Sequence, residues 1–189
     1  MIITAKDYPL NRLEDFDRYR SLLFAIAYRM LGSVMDAEDM VQETFLRWQQ
    51  ISDPNVRSIK AYLTTIVTRL CIDRLRSAQV RREQYVGSWL PEPIVTESSG
   101  DPSEIAESAD SLEIAFLVLL ERLSPLERAI FLLREAFGYD YNEIGQIVEK
   151  KTANCRQIAR RARQHLTEKR SRFSTSPQQQ EQLTLLLEL

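Results

Sequence analysis

Only five glycines, two cysteines and one histidine occur in the 189 residues. So little glycine, with few alternating apolar and polar runs, argues against sheets and for an all-α protein. The single histidine, His165, falls late in a basic segment, and no Cys/His spacing of a metal site is present. There is no glycine-rich phosphate loop, and the many acids form no recognisable catalytic constellation. Enzymatic chemistry, a cofactor and a small-molecule substrate are therefore not expected. Cys71 and Cys155 lie on apolar faces of helical patterns, as buried free thiols of a reducing compartment would; a disulfide between distant helices is the alternative. No signal peptide is apparent and no apolar run approaches membrane-spanning length, so the expectation is a cytoplasmic protein without membrane contact.

Lysine and arginine are missing altogether from residues 83–121, where nine acids stand. On either side the balance reverses. Residues 57–82 hold seven bases against the single acid Asp73, and residues 150–172 nine against Glu168, on a chain whose net charge is only −2. Two basic patches joined by an acidic spacer suggest two contacts on one long polyanion.

The longest uninterrupted pattern runs from Ile59 to Arg82. Leu63, Ile66, Val67 and Leu70 form an apolar stripe at helical spacing, with Thr65, Arg69, Asp73 and Arg76 opposite. A phosphate backbone would suit that polar side; a solvated face with Arg69–Asp73 and Asp73–Arg76 pairs is the plainer reading. Before it, Phe16, Tyr19, Leu22, Leu23, Ile26, Ala27 and Met30 repeat helically up to Gly32, a C-terminal stop. Ser33 or Asp36 then opens a helix, DAEDMVQETFLRWQQ, that buries Ala37, Met40, Val41, Phe45 and Trp48 or a subset of them. Its polar side carries Asp36, Asp39, Gln42, Glu43 and Arg47. Three such helices with short breaks can bury a common core.

Periodicity is lost over 84–111, where glycine, proline and serine gather around Trp89, Leu90, Ile94 and Val95. It resumes at Ser111. Ser124-Pro125-Leu126-Glu127 and Asp140-Tyr141-Asn142-Glu143 each read as a capped helix start. After Glu149-Lys150-Lys151, Thr152 can cap a last helix whose buried stripe is Cys155, Ile158, Ala159, Ala162 and Leu166. Asn154, Arg156, Gln157, Arg160, Arg161 and Arg163 form its outer face. A short helix, a tight turn and a basic second helix make a helix-turn-helix, whose second helix can enter the major groove. There Asn154 and Gln157 could pair with adenine, and the arginines could reach guanine or phosphates. A helical hairpin with a solvated basic face is the alternative.

These residues carry a resemblance. Over 13–168 the chain resembles the sigma-70 class of bacterial transcription initiation factors, in its compact extracytoplasmic-function (ECF) group. FDRYRSLLFAIAYRMLGSVMDAEDMVQETFLRW is similar to the polymerase-binding region 2, the long helix ends in IDRLR, and LSPLERAIFLLREAFGYDYNEIGQIVEKKTANCRQIARRARQHL is similar to region 4. YVGSWLPEP resembles the linker of a subgroup with a C-terminal SnoaL-like domain, of which SPQQQEQLTLLLEL looks like an opening helix.

The resemblance implies two small helical domains, 10–84 and 112–168, an acidic flexible linker over 85–111 and a tail over 169–189. Few contacts are expected between the two domains. It implies core RNA polymerase and promoter DNA as partners, with an anti-sigma factor or a regulatory C-terminal domain as a further one. Asp36, Glu38, Asp39, Gln42, Glu43 and Arg47 would meet the β′ clamp helices, and the second domain the β flap. Arg69, Asp73, Arg74, Arg76, Arg81 and Arg82 would face the −10 element and assist melting. Lys151, Thr152, Asn154, Arg156, Gln157, Arg160, Arg161 and Arg163 would face the −35 element. Three positions depart from the family's pattern: Arg69 stands where many members have Asn, Glu149 where a turn often has Gly, and Lys151 where a Ser cap is common. The rival reading, a helix-turn-helix repressor or activator, explains the C-terminal half but neither DAEDMVQETFLRW nor the acidic linker.

Overall fold

The structure, a computed structural model, describes residues 12–51, 56, 58–82 and 116–168. The expected linker and C-terminal tail lie outside the described residues, as do the side chains of Arg81 and Arg82. The described part is helical, without strands: α1 Arg12–Leu31, α2 Val34–Gln49, α3 Ile59–Arg82, a helical stretch at 116–120, α4 Pro125–Glu135, α5 Tyr141–Val148 and α6 Thr152–Glu168.

Local chemistry sets the boundaries. Gly32, at φ 69°, donates its N–H to the Tyr28 carbonyl and turns the chain out of α1. Ser33 is the cap of α2, its hydroxyl accepting from the Asp36 N–H. Ser58 serves α3 in the same way, accepting from Ala61. Ser124 and Asp140 form the two expected capping boxes with Glu127 and Glu143.

α1, α2 and α3 close on Leu23, Ile26, Met30, Val41, Trp48, Leu63 and Val67, all buried. The Trp48 indole donates to the Arg12 carbonyl at 2.9 Å, so the ring is buried without orphaning its N–H. α4, α5 and α6 close on Ile130, Phe131, Leu133, Ile144, Cys155, Ala159 and Ala162.

The α3 stripe differs from the expected one. Its buried residues are Leu63, Thr64, Val67, Thr68, Cys71 and Ile72, while Ile66 and Leu70 are half-exposed. The stripe is rotated because α3 packs on two neighbours. One flank meets α1 and α2, and the other meets α4 and α5. The two helical domains are present, but the expectation of few contacts between them is corrected: α1 and α3 both pack on the second helical unit, and the buried side chains form one continuous core. The threonines concealed this in the sequence. A buried Thr64 hydroxyl can face another domain only with a partner, and it finds the Tyr139 hydroxyl at 2.9 Å.

Candidate functional site

Two surfaces carry the residues of interest. The first is the outer side of α2. Met35, Asp39, Gln42 and Leu46 follow one another at helical spacing and are all exposed. Met35 and Leu46 are 75% and 44% exposed, high for large apolar groups. Asp39 and Gln42 thus lie between two exposed apolar side chains along one line of the helix. The expectation covered Asp39 and Gln42 and omitted Met35 and Leu46. Their place in the stripe was signalled by spacing alone, i, i+4, i+7 and i+11.

The other expected acids of α2 are engaged. Asp36 takes the Arg74 guanidinium at 2.7 Å, Glu38 takes Arg20 at 3.1 Å, and Glu43 takes Arg47 at 2.8 Å within the helix. These are exposed or half-exposed pairs, cheap to exchange for a partner's charge. Beside them Leu13, Phe16, Val41 and Phe45 line a cleft of about 280 Å³ between α1 and α2, edged by Asp17, Arg20, Glu38 and Gln42.

The second surface is the helix-turn-helix. Asp140 accepts from the N–H groups of Asn142 and Glu143 at 2.7 and 2.8 Å, and Glu143 returns the contact to the Asp140 N–H at 2.8 Å. α5 ends at Glu149, which sits in the left-handed region at φ 55°. A glycine would adopt that conformation without strain, so the departure from the family's pattern costs backbone energy here. The Lys150 N–H then reaches back to the Gly145 carbonyl at 2.9 Å. Gly145 is required by this closure, because a Cβ there would lie 2.6 Å from the Lys150 carbonyl oxygen. Sequence reading missed this glycine, which looks like an ordinary helix-interior residue.

α6 begins one residue earlier than a Thr152 cap would place it. Thr152 is the first helical residue, and the Lys151 carbonyl accepts from the Cys155 N–H, so Lys151 occupies the cap position without a capping oxygen. The Thr152 hydroxyl instead donates to the Asn142 side chain at 2.9 Å, tying the two helices across the turn. Cys155, Ala159, Ala162 and Leu166 face the core, as expected, while Ile158 is half-exposed. Lys151, Asn154, Arg156, Gln157, Arg160, Arg161 and Arg163 are exposed. They are not equally available. Arg163 is bound to Glu135, whose carboxylate holds the guanidinium pKa above its ordinary value. Arg156 lies 5.9 Å from the Tyr141 ring centroid and Arg134 lies 5.0 Å from it.

On α3 the expected DNA-facing residues divide. Asp73 and Arg76 are exposed and form a long 3.7 Å pair, while Arg74 crosses to Asp36. Arg69 does not pair with Asp73. Its guanidinium donates to the carbonyls of Ile147 and Gln146 at 2.9 and 3.3 Å and meets the Glu149 carboxylate at 3.0 Å. Among the described residues no group of three or more His, Cys, Asp or Glu could hold a metal ion, and no helix is long and apolar enough to cross a membrane.

Comparison with known proteins follows this division. Residues 16–81 match the family Sigma-70 region 2, and residues 113–166 match Sigma-70, region 4. The ECF RNA polymerase sigma factor SigJ of Mycobacterium tuberculosis is 41% identical over 166 residues, which is 87% of this chain and 53% of that protein. The probable ECF RNA polymerase sigma factor SigI of the same species is 36% identical over 168 residues, 88% of this chain and 58% of that protein. The chain thus spans about half the length of the curated relatives it matches. The crystal structure of M. tuberculosis SigJ superposes with a TM-score of 0.63 at 38% identity, covering 82% of this chain and 53% of that one. The sigma factor RpoE of Bartonella quintana, solved in complex with the anti-sigma factor NepR, shares the fold at a TM-score of 0.60 and 21% identity, over 82% of this chain and 94% of that one. With regions 2 and 4 matched in order on the helices that carry the two surfaces, the chain belongs to the sigma-70 family, in its extracytoplasmic-function group.

Proposed function

We propose that this chain binds core RNA polymerase and directs it to promoters by recognising −10 and −35 elements, assisting strand opening. The observation that carries the proposal is the pairing of two unlike surfaces on one chain. A repressor needs the capped helix-turn-helix with its exposed Asn154, Arg156, Gln157, Arg160 and Arg161, but not the Met35–Asp39–Gln42–Leu46 stripe on α2. That stripe would meet the β′ clamp helices, with Glu38, Glu43 and Arg47 beside it, and the second helical unit would meet the β flap. Asp73, Arg76, Arg81 and Arg82 would face the −10 region, with Arg69 and Arg74 joining them once their present partners are released. The first turns of α6 would read −35 base edges, and its later arginines would hold phosphates. In this reading the chain is cytoplasmic, uses no cofactor and does no chemistry itself; the polymerase does. An anti-sigma factor or a regulatory C-terminal domain would be a further partner.

The test is run-off transcription with core polymerase on a promoter library, beside a pull-down with core. Transcripts from a defined promoter subset are expected. Asp39→Arg with Glu43→Arg should abolish the pull-down while leaving the helical signal intact, since reversal sets like charges against the partner. Tight sequence-specific DNA binding with no retention of core polymerase would instead establish the repressor reading.

A further inference from the structure

Arg156 lies in the first turns of α6 with Asn154 and Gln157, yet it stands apart from them around the helix. Successive residues turn by about 100°. The buried stripe of Cys155, Ala159 and Ala162 marks the side of α6 that faces the core. Measured from it, Gln157 points outward, while Arg156 lies on the flank, in line with Arg160 and Arg163 at i+4 and i+7. That flank is turned toward α4 and the start of α5. Arg163 is bound there to Glu135, and the Arg156 guanidinium lies 5.9 Å from the Tyr141 ring centroid.

Tyr141 is itself firmly held. It is the first residue of α5, and the Asp140 carboxylate fixes the backbone around it through the N–H groups of Asn142 and Glu143. Arg134 of α4 braces the ring at 5.0 Å and donates to the Tyr139 carbonyl at 3.1 Å. The Tyr141 side chain also acts on Arg163, after the stronger hold of Glu135. Among the described residues neither Arg134 nor Arg156 pairs with a carboxylate. Two guanidinium groups over one ring therefore leave a positive site open to an outside anion.

In a helix-turn-helix the second helix enters the major groove while the first crosses the sugar–phosphate backbone. A side chain of α6 turned toward the start of α5 is thus turned toward the backbone and away from base edges. An exposed arginine has many rotamers, and stacking on a fixed ring removes most of them before DNA arrives. We propose that Tyr141 is a positioning residue: its ring holds Arg156 on the backbone side of α6, where Arg156 grips a phosphate and leaves base reading in the first turns to Asn154 and Gln157. The proposal rests on the assignment of α6 to the −35 element under Proposed function, and refines it.

The test measures binding of the full chain to a randomised pool of duplexes, alone and with core polymerase, over a range of salt. Arg156→Ala should weaken binding to all duplexes alike and lower the slope of log K against log salt by about one, with base preference unchanged. Tyr141→Leu should weaken binding about two- to fivefold, again without change of preference, as loss of an exposed cation–π contact does. Tyr141→Phe keeps the ring and should behave as the parent. In the Arg156→Ala background Tyr141→Leu should cost nothing further, because the tyrosine acts through the arginine. Arg156 is exposed, so its variant reads the phosphate contact even where Tyr141→Leu fails to fold. Relaxed preference at one base pair in Arg156→Ala, with the salt slope kept, would overturn the proposal. So would a loss in Tyr141→Phe equal to that in Tyr141→Leu, which would make the hydroxyl the contact, or full additivity of the Tyr141 and Arg156 losses. Failure of the parent to retain core polymerase would overturn the polymerase reading and leave these duplex measurements standing.

Discussion

Replacing Gly145 by alanine sets two opposed effects against each other, and the structure decides the sign. Alanine is favoured over glycine inside a helix by about 0.5–1 kcal/mol, because glycine gives up more backbone freedom on folding. By that measure Gly145→Ala should stabilise α5. The added Cβ, however, would lie 2.6 Å from the Lys150 carbonyl oxygen and 3.7 Å from the Thr152 nitrogen. Relief requires the turn backbone to move several tenths of an ångström. The Lys150 N–H is bonded to the Gly145 carbonyl at 2.9 Å, and the Thr152 hydroxyl to Asn142, so neither side of the turn moves alone. Overpacking of this kind costs about 1–3 kcal/mol. The net effect should be a loss of about 1–2 kcal/mol, or roughly 3–8 °C in melting temperature for a unit of this size. Thermal unfolding followed by circular dichroism reads the stability. Because the start of α6 is displaced, duplex binding should lose sequence preference more than it loses affinity. A variant that melts higher than the parent, with unchanged preference, would refute the reasoning and show that the turn yields freely.

Arg161→Ala should weaken binding to every duplex and lower the slope of log K against log salt by about one, as loss of one phosphate contact does. Arg163→Ala should change that slope less and stability more, because Arg163 is bound to Glu135. Arg128 is buried and donates to the Leu120 and Met30 carbonyls at 2.9 and 2.6 Å. Leu120 keeps a second donor in the Leu123 N–H, so Arg128→Met chiefly orphans Met30 and should cost about 1–3 kcal/mol in urea unfolding. An equal or higher urea midpoint would show that desolvating the guanidinium costs as much as its bonds return. Burial pushes the Cys71 thiol well above its ordinary pKa, and Asp36 adds to the rise. Cys71 should therefore resist maleimide until the chain unfolds. The unfolded thiol ionises near pH 8.5 while the folded one stays protonated, so this residue's contribution to stability should fall as pH rises past about 8.5. Rapid modification of Cys71 in the folded chain, or a contribution that grows with pH, would contradict this.

The elements that depend on neighbours in sequence were legible without coordinates. Apolar spacing of three and four, the Ser124 and Asp140 boxes and the stop at Gly32 are all settled within one or two helical turns, where local hydrogen bonds decide. The outer face of α6 was legible for the same reason, since a helix that buries Cys155, Ala159, Ala162 and Leu166 must expose Arg156, Gln157 and Arg160. The order of the two regions and their charges was likewise present in the residue order alone. What only the tertiary structure decided lies between segments remote in the chain. Periodicity over residues 85–111 vanishes whether or not the flanking domains touch, so it carried no information about the seam. Arg69 read as a polar-face residue, and Thr64 gave no signal, because nothing nearby in sequence offers either of them a partner. Their partners are Tyr139 and Glu149, far along the chain and brought near by packing. Gly145 gave no signal because its constraint is a carbonyl that arrives with the turn of α5 into α6. Spacing along a helix sets which face a residue occupies; what that face meets is set by packing free energy summed over the whole fold.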